Sequence, residues 1–301
     1  MLSLFAENLM KSKKEYFKKY KKHPIHVDIV FEAGMFNGSE QIGFLCYLKK
    51  LEETGCIHVH RLSGCSAGSI VALCYYLDNN FDFHIENLSK LVYNHVKKAS
   101  NVDIFGGLLN YFKENITENI FEKLNGNLFI SFHDMKKGKQ IVKNHYTNME
   151  DLFETIRKSC SVPFMVDDNL LYKERYIDGF YPYMFKEKKG RKIINLNIIN
   201  TENITKMMTI KNEKTNTKRV IDGMIDSHKF FTSDLKCSMC SFVDKWSLFD
   251  NFKYFLLIKS MTFVMYLFHK ILRFGVIIKN SSGIENFLKN MIRIIVRHVI
   301  K

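Results

Sequence analysis

A Gly-x-Ser-x-Gly pentapeptide at residues 64–68 constrains this chain more than any other part of its sequence. It lies between a strand-like apolar run at 58–62 and a helix-like run at 69–77. In that setting the pattern predicts a nucleophile elbow, in which the glycines allow a sharp turn and Ser66 stands at its tip. The N-terminus of the following helix then favours a developing oxyanion. The alternative is an ordinary strand-to-helix turn that carries a serine.

A second strand, loop and helix precede this motif. Residues 27–31 form a short, β-branched apolar run that indicates a buried strand. The loop at 32–38 contains Gly34 and Gly38 and leads into an amphipathic helix that ends near Gly55. Backbone N–H groups of such a loop can bind an oxyanion or a phosphate. Because the loop lacks the third glycine of G-x-G-x-x-G, it is a poor match to a dinucleotide site, and an ordinary loop is the alternative.

A third segment supplies a carboxylate. Asp178 follows the strand-like run 175–177 and precedes Gly179, which permits a turn. A carboxylate at this place can accept the proton of a serine hydroxyl. The alternative is an Asp-Gly turn without a catalytic role, since this dipeptide is common in turns.

Together, the three segments resemble the patatin-like phospholipase family across residues 25–200. The similarity runs in chain order through 42–45, 51–55, 64–68, 159–163 and 176–179. In that family a glycine-rich loop supplies the oxyanion hole, Gly-x-Ser-x-Gly the nucleophile and Asp-Gly the aspartate of a catalytic dyad. The resemblance implies an α/β fold of three layers, in which helices flank a central, mostly parallel sheet. It assigns the nucleophile to Ser66, the general base to Asp178, the oxyanion donors to Gly34 and Met35, and motif positions to Gly38, Gly64, Gly68 and Gly179.

The loop departs from the family pattern Gly-Gly-Gly-x-Arg/Lys-Gly. Here Met35 replaces the third glycine and Asn37 replaces the basic residue. Because methionine disfavours a positive φ, we expect the loop to keep a conformation that ordinary residues adopt. The lost cation removes a charge that could support the loop or bind an anion. Phe180 also stands where the family often has a small residue, and these changes bear on substrate choice and rate more than on reaction type.

The sequence therefore predicts a lipid acyl hydrolase of the phospholipase A type. Asp178 deprotonates Ser66, which attacks a fatty ester carbonyl and forms a covalent acyl-enzyme that water hydrolyses. Backbone N–H groups of the loop stabilise the oxyanion. This chemistry needs no metal and no cofactor.

Two alternatives stay open. The altered loop also suits a membrane-binding or interaction protein on a catalytically degenerate scaffold. A Ser-His-Asp triad would instead place its histidine after the acid, and only His228, His269 and His298 follow Asp178. None of the three lies in a glycine-flanked loop after a clear strand, so we favour the dyad.

Charge and cysteine content restrict partners and compartment. The net charge of +14 favours anionic partners, and without a nucleic-acid-binding signature we expect an anionic membrane and no nucleic acid. Seven cysteines without a framework indicate a reducing compartment, so we expect a cytoplasmic, peripheral membrane protein. The lone C-x-x-C at 237–240 is a weak zinc motif, and His58 and His60, on one face of a strand, are expected to pack instead of binding metal.

We divide the chain into a basic N-terminal helix (1–24), a patatin-like catalytic domain (25–235) and a basic, amphipathic helical region (236–301). The N-terminal helix is expected to be solvated or to contact a membrane. Residues 81–158 have helical character, and 193–199 are expected to form a strand.

Two C-terminal segments suggest membrane contact. Residues 254–278 are mostly apolar, but charged side chains would make a transmembrane span costly. On a helix, one stripe is polar (Lys259, Thr262, Tyr266, His269 and Arg273) and the other face is apolar (Phe263, Val264, Leu267, Phe268, Ile271 and Phe274). Residues 289–301 repeat this pattern, which is typical of helices that lie in a membrane interface. The substrate would be a membrane phospholipid or another fatty acyl ester, and packing of both helices on the catalytic domain is the alternative.

Overall fold

The computed structural model describes residues 2–77, 84–88, 90–91, 104–116, 119–163, 169–198, 213, 215–233, 237–277 and 290. Its strands are β1 (Ile25–Phe31), β2 (Ile57–Cys65), β3 (Leu128–Asp134), β4 (Lys139–Lys143), β5 (Tyr176–Ile177), β6 (Lys192–Leu196) and β7 (Cys240–Phe242). Its helices are α1 (Leu2–Lys11), α2 (Lys14–Lys22), α3 (Gly38–Glu53), α4 (Ala67–Cys74), α5 (Ile104–Asn115), α6 (Ile120–Leu124), α7 (Met149–Ser159), α8 (Thr217–Ser233) and α9 (Leu248–Ile277).

The strands form one mixed sheet in the order β4-β3-β2-β1-β6-β7, with β5 paired to β3. The four central strands are parallel to one another, and β4, β5 and β7 join them in antiparallel pairs. Helices flank this sheet, so the predicted α/β class is confirmed. Because parallel strands end at the same edge, the turns after β1 and β2 lie side by side.

Strand β1 explains why the sheet is covered on both faces. Its side chains are buried from Val27 to Phe31, as expected for a central parallel strand. Val27, Ile29 and Phe31 point into the main core, whereas Val30 packs in a second cluster with Phe185 and Ile193. Successive side chains of β1 therefore point to opposite faces of the sheet and pack into two apolar layers.

Helices α3 and α8 cross at contacts that only glycine allows. A Cβ atom on Gly43 would lie 2.1 Å from the carbonyl oxygen of Val220, and one on Gly223 would lie 2.1 Å from that of Glu40. This close approach brings α8 next to the loop that precedes α3. Helix α1 packs on the same pair of helices and buries Ala6.

The N-terminal and middle regions differ from their predicted structure. Residues 1–24 contain two helices, and their apolar side chains, Ala6, Met10 and Phe17, are buried in the main core. Residues 81–158, expected to be helical, also contain β3 and β4. A short apolar run cannot be assigned to helix or strand by periodicity alone, which accounts for this error. The predicted strand at 193–199 is shorter and corresponds to β6.

The C-terminal region continues the fold beyond residue 235. Strand β7 pairs with β6 in the central sheet, so the sheet extends past the predicted domain boundary. Helix α9 begins at a capping box: the Ser247 hydroxyl oxygen accepts the Asp250 N–H at 3.1 Å, and Asp250 accepts the Ser247 N–H at 3.3 Å. None of the helices in these described ranges has the length and apolar character that crossing a bilayer requires. The helix predicted at 289–301 lies outside the described residues, apart from residue 290.

Substitution of Gly68 tests the close packing at the start of α4. A Cβ atom there would lie 2.5 Å from the carbonyl oxygen of Phe31 and 2.8 Å from that of Glu32. We expect Gly68→Ala to lower the free energy of unfolding by about 3 kcal/mol, because the backbone must shift to relieve the overlap. The matched control is Gly38→Ala, whose Cβ atom would meet side-chain atoms of Ala67 at 3.4 Å and of Val71 at 3.9 Å and no backbone atom within 4 Å. Urea unfolding should show little change for the control, and equal losses in both variants would contradict the steric argument.

Candidate active site

The nucleophile elbow lies between β2 and α4. Ser66 has φ of +51° and ψ of −133°, values that residues other than glycine rarely adopt. Such a conformation costs about 1–3 kcal/mol and persists only where the surrounding structure imposes it. The neighbouring glycine supplies the space, because a Cβ atom on Gly64 would lie 2.4 Å from the carbonyl oxygen of Gly68.

Side chains from two other elements hold the elbow. The Ser66 N–H donates to the hydroxyl oxygen of Ser159 at 2.9 Å, and that hydroxyl donates to the Ser131 carbonyl at 2.7 Å. On the other side, the Ser69 hydroxyl donates to the Ser66 carbonyl at 2.7 Å. All four serines are buried, so these hydrogen bonds satisfy polar groups that water does not reach.

The end of α7 also fixes the loop that carries Asp178. The Asp178 N–H donates to the Ser161 carbonyl at 3.1 Å, and the Gly179 N–H donates to the Ser159 carbonyl at 3.0 Å. A Cβ atom on Gly179 would lie 2.4 Å from the carbonyl oxygen of Ser131. Thus one segment, 159–161, bonds to both the elbow and the aspartate loop.

The carboxyl group of Asp178 is buried beside the serine. Its Oδ1 accepts the N–H of Phe180 at 2.9 Å, while Oδ2 has no hydrogen-bond partner among the described residues. Burial raises the pKa of Asp178 to about 6, although the Phe180 N–H and the Ser66 side chain act to lower it. The structure therefore brings together Ser66 and Asp178, which are far apart in the sequence.

The loop before α3 adopts a strained turn. Gly34 packs so closely that a Cβ atom would lie 1.8 Å from Cδ1 of Ile198. Met35 has φ of +44°, so the expectation of an ordinary backbone conformation at this residue is wrong. Within the part of the chain that the structure describes, no acceptor pairs with the N–H group of Gly34 or Met35.

A buried arginine reaches this loop from α8. Its guanidinium donates from Nη1 to Oδ1 of Asn37 at 2.6 Å. Arg219 also forms an ion pair with Glu213 at 2.7 Å and is only 4% exposed. The positive charge that the loop sequence lacks is thus supplied from another element, and sequence spacing gave no signal for it.

The sequence analysis assigned no role to Glu32, which ends β1 beside the elbow. The side chain is buried and its Oε1 accepts the amide of Asn195 at 2.8 Å. Burial raises the pKa of Glu32 to about 7, although the Asn195 hydrogen bond acts to lower it. The sequence signal that could have identified Glu32 is a carboxylate placed directly after an apolar strand.

The histidines do not complete a triad. His228 contacts Tyr47, the Nδ1 of His269 contacts the Met135 carbonyl, and His298 lies outside the described residues. His133, which the sequence analysis overlooked, lies close to the site but contacts the backbone carbonyl of Asp178 at 3.1 Å. Among the described histidines, none hydrogen-bonds to the Ser66 hydroxyl or the Asp178 carboxyl group.

An apolar cavity adjoins the elbow and the glycine loop. It has a volume of about 130 Å³, and Met35, Ala67, Ile70 and Val71 line its inner end. Ile70 and Leu108 separate it from a second cavity of about 280 Å³ between α5 and α7. The side chains that line the smaller cavity are mostly apolar, and they include Ala67, which directly follows Ser66.

Helix α9 covers the side of the site that Asp178 occupies. The Tyr181 hydroxyl lies 3.2 Å from that of Thr262, and Met265 is buried against Ile177. Burial raises the pKa of Tyr254, and the charge of Glu32 raises it further, which indicates that this phenol lies near the site. Thr262 of the predicted polar stripe therefore contacts the catalytic domain while it remains exposed to water.

A family model matches the part of the chain that contains these residues. The model for the patatin-like phospholipases matches residues 29–181. The matched segment includes the glycine loop, the elbow and Asp178. A comparison with curated proteins found no match.

Replacement of Glu32 tests its unfavourable burial. Its pKa is about 7 in the folded state, against an ordinary value of 4.5. The free energy of unfolding therefore falls as pH rises from about 4.5 to about 7 and beyond, because ionisation is less favourable in the folded state. We expect Glu32→Gln to raise the free energy of unfolding by about 3 kcal/mol at pH 8 and to have little effect at pH 4.5. Exposed Glu187→Gln is the control. Urea unfolding at both pH values measures the difference, and a pH-independent effect would argue against a buried charge.

Proposed function

The chain belongs to the patatin-like phospholipase family, and on that basis we propose that it is a lipid acyl hydrolase of the phospholipase A type with a Ser66–Asp178 dyad. Hydrolysis of lipids is the general activity of this family. The proposal goes further in assigning the reaction to a serine nucleophile and a carboxylate base.

The reaction follows from the positions of three groups. Asp178 Oδ2 removes the proton of the Ser66 hydroxyl, whose oxygen attacks the ester carbonyl and forms a tetrahedral intermediate. The N–H groups of Gly34 and Met35 stabilise its oxyanion, and one such donor contributes about 3 kcal/mol. The intermediate collapses to an acyl-enzyme, and the leaving alcohol takes the proton from Asp178. Water then attacks the acyl-enzyme by the same route and restores both side chains.

One observation carries this proposal above the others. The carboxyl group beside Ser66 is buried, the Phe180 N–H binds one of its oxygens, and the other oxygen has no partner in the described structure. A buried acceptor without a donor is costly, so such groups usually have a functional explanation. A pKa near 6 leaves the group ionised at neutral pH, while it remains a stronger base than an exposed aspartate.

The alternative is a binding protein on a degenerate hydrolase scaffold, and the altered glycine loop was its main support. The structure weakens that argument, because Met35 adopts the positive φ of a glycine and Arg219 supplies the missing charge. Strain also concentrates here: Met35, Ser66 and Phe180 are three of the five described non-glycine residues with positive φ. Strained backbone is characteristic of working sites.

A fluorophosphonate probe and the pH dependence of hydrolysis test the dyad. We expect Ser66→Ala to abolish labelling and ester hydrolysis, and Asp178→Asn to slow hydrolysis by about 10²–10⁴-fold. For the unmodified protein, kcat/KM should rise tenfold per pH unit below about 6 and level off above it, because the base must be ionised.

His133→Gln is the matched control, since an imidazole base would produce a similar profile. This variant should keep the labelling and the pH profile of the unmodified protein. Loss of activity in a folded His133→Gln variant, or no labelling of the folded unmodified protein, would exclude the proposed dyad.

The protein would reach its lipid substrate at an anionic membrane surface, and α9 would make the contact with that surface. One side of this helix is packed on the catalytic domain, yet large apolar side chains project from the rest of it. Those exposed are Leu248, Phe249, Phe252, Phe255, Leu256, Leu257, Phe263, Val264, Tyr266 and Leu267. Contiguous apolar surface of this kind marks an interaction site.

Charge supports an anionic membrane as the partner of this apolar surface. Lys253 and Lys259 are exposed on the same helix, and the whole chain carries a net charge of +14. Basic and apolar side chains together suit a helix that lies in the interface of an anionic bilayer. The seven cysteines are all free, which supports a location on the cytoplasmic side.

Charge reversal on α9 tests membrane contact. Phe263 and Val264 are 59% and 57% exposed, so glutamate at both positions leaves the core intact. We expect the double variant Phe263→Glu/Val264→Glu to bind vesicles that contain phosphatidylserine at least about tenfold more weakly, since each apolar side chain contributes about 1.5–3 kcal/mol when buried. Co-sedimentation measures the binding, and circular dichroism checks the fold.

Leu4→Glu provides the control, because this α1 residue is also 59% exposed and apolar. It should leave vesicle binding unchanged. Loss of binding in this variant alone would transfer the membrane contact to α1, and full binding by both variants would reject the proposed surface.

A further inference from the structure

Three histidines meet at the sheet edge opposite the active site. His26 lies at the start of β1 and is paired in register with His58 at the start of β2. His60 follows two residues later, so its side chain lies on the same face as that of His58. Ser66 lies at the other end of β2, six residues from His60 and roughly 20 Å away along the strand. The cluster is therefore separate from the proposed catalytic site.

The imidazole rings contact one another and not the core. Nδ1 of His26 lies 2.9 Å from Nε2 of His60, and one nitrogen from each of the three rings lies within 4.8 Å of the others. His26 and His58 are exposed and His60 is half-buried. The sequence favours packing over metal binding for His58 and His60, and the rings that they contact include each other and His26.

This spacing suits a metal ion. With Zn–N bonds of about 2.0–2.1 Å and tetrahedral angles, the ligand nitrogens would be about 3.3 Å apart. The His26 and His60 nitrogens, at 2.9 Å, are closer than this value, and the three nitrogens lie within 4.8 Å of one another, so side-chain rotations are needed to bring all three around one ion. Three imidazoles with an open fourth position form a common zinc ligand set, and imidazole also suits other late first-row metals.

Nearby charges partly offset one another at this site. Arg191 acts on His60 and opposes a cation, and Asp28, 3.6 Å from its guanidinium, is shared with Arg61, so the three side chains together keep one positive charge. Arg61 holds the same carboxylate through two hydrogen bonds, so Asp28 is not expected to become a fourth ligand. Water is then the remaining ligand.

A second group of three ligand residues is a weaker candidate. Asp226 lies near Cys237 and Cys240, but its two oxygens already accept the Ser238 hydroxyl and the Met239 N–H, both at 2.9 Å. The sulfur of Cys237 accepts the Cys240 N–H at 3.3 Å, and Cys240 is buried. These contacts form a self-contained turn.

We propose that His26, His58 and His60 bind one divalent transition-metal ion, with zinc as the best match. The ion links the first residues of β1 and β2, the two strands that end at the glycine loop and the elbow. Metal bound to the folded state alone stabilises that state by mass action. The site thus couples metal supply to the stability of the catalytic fold.

Calorimetric titration of the full chain with Zn²⁺ and the absorption spectrum with Co²⁺ test this site. We expect one ion per chain and a rise in Tm of about 5 °C at free Zn²⁺ near 100 times Kd. Loss of a group that only orients a metal ligand lowers metal affinity by about 10–100-fold. His58 and His60 would be ligands themselves, so His58→Gln and His60→Gln should each weaken binding by at least about 100-fold. If either variant fails to fold, His26→Gln takes its place in the titration, with the same expected loss of affinity.

Two controls make the result decisive. His145→Gln removes an exposed histidine outside the cluster and should retain full affinity, and Cys237→Ser should do the same. The Co²⁺ complex should show visible d–d bands without the near-ultraviolet bands of a thiolate ligand. The proposal is overturned by absence of binding, by thiolate bands that Cys237→Ser removes, or by equal affinity in the His58→Gln and unmodified proteins.

Discussion

The structure depends on a backbone contact at the start of α4. There Gly68 lies against the carbonyl oxygens of Phe31 and Glu32, at distances that leave no room for a side chain. This contact sets α4 across the ends of β1 and β2, so the turn between β2 and α4 has little freedom. The positive φ of Ser66 follows, because the chain must reverse between two elements that are already fixed. The rigid scaffold, and not the serine itself, imposes the strained conformation.

The segment at the end of α7 extends this constraint to the carboxylate. Ser159 accepts the elbow N–H through its side chain and the Gly179 N–H through its carbonyl, while Ser161 holds the Asp178 N–H. A displacement of either loop would therefore break hydrogen bonds in a buried region, where replacement by water is not available. Ser66 and Asp178 keep their relative position because both residues bond to one short segment.

Sequence reasoning found the parts of the site that have local causes. The elbow, the Asp-Gly turn and the flanking parallel strands each follow from glycine placement and apolar runs, and the order of the blocks predicted the fold class. It failed at Met35, where local preference excludes the observed φ and tertiary packing overrides that preference. It also could not find Arg219 or Ser159, since their roles arise from contacts between distant elements and no spacing rule encodes them.

Helix α9 shows that the periodicity of apolar residues does not always identify the buried face of a helix. The same helix covers part of the site and affects the pKa values of its carboxyl groups. The sequence predicted one polar stripe and one apolar face, yet exposed Thr262 and half-buried His269 of the polar stripe contact the catalytic domain. Phe263 and Val264 of the predicted apolar face are exposed instead. Tyr254 of the same helix lies near Glu32, and burial dominates the raised pKa values of Glu32 and Asp178. Removal of α9 from this surface would admit water and lower both pKa values toward those of exposed carboxylates. The helix that we propose to face the lipid on one side therefore packs beside the loop of Asp178 on the other.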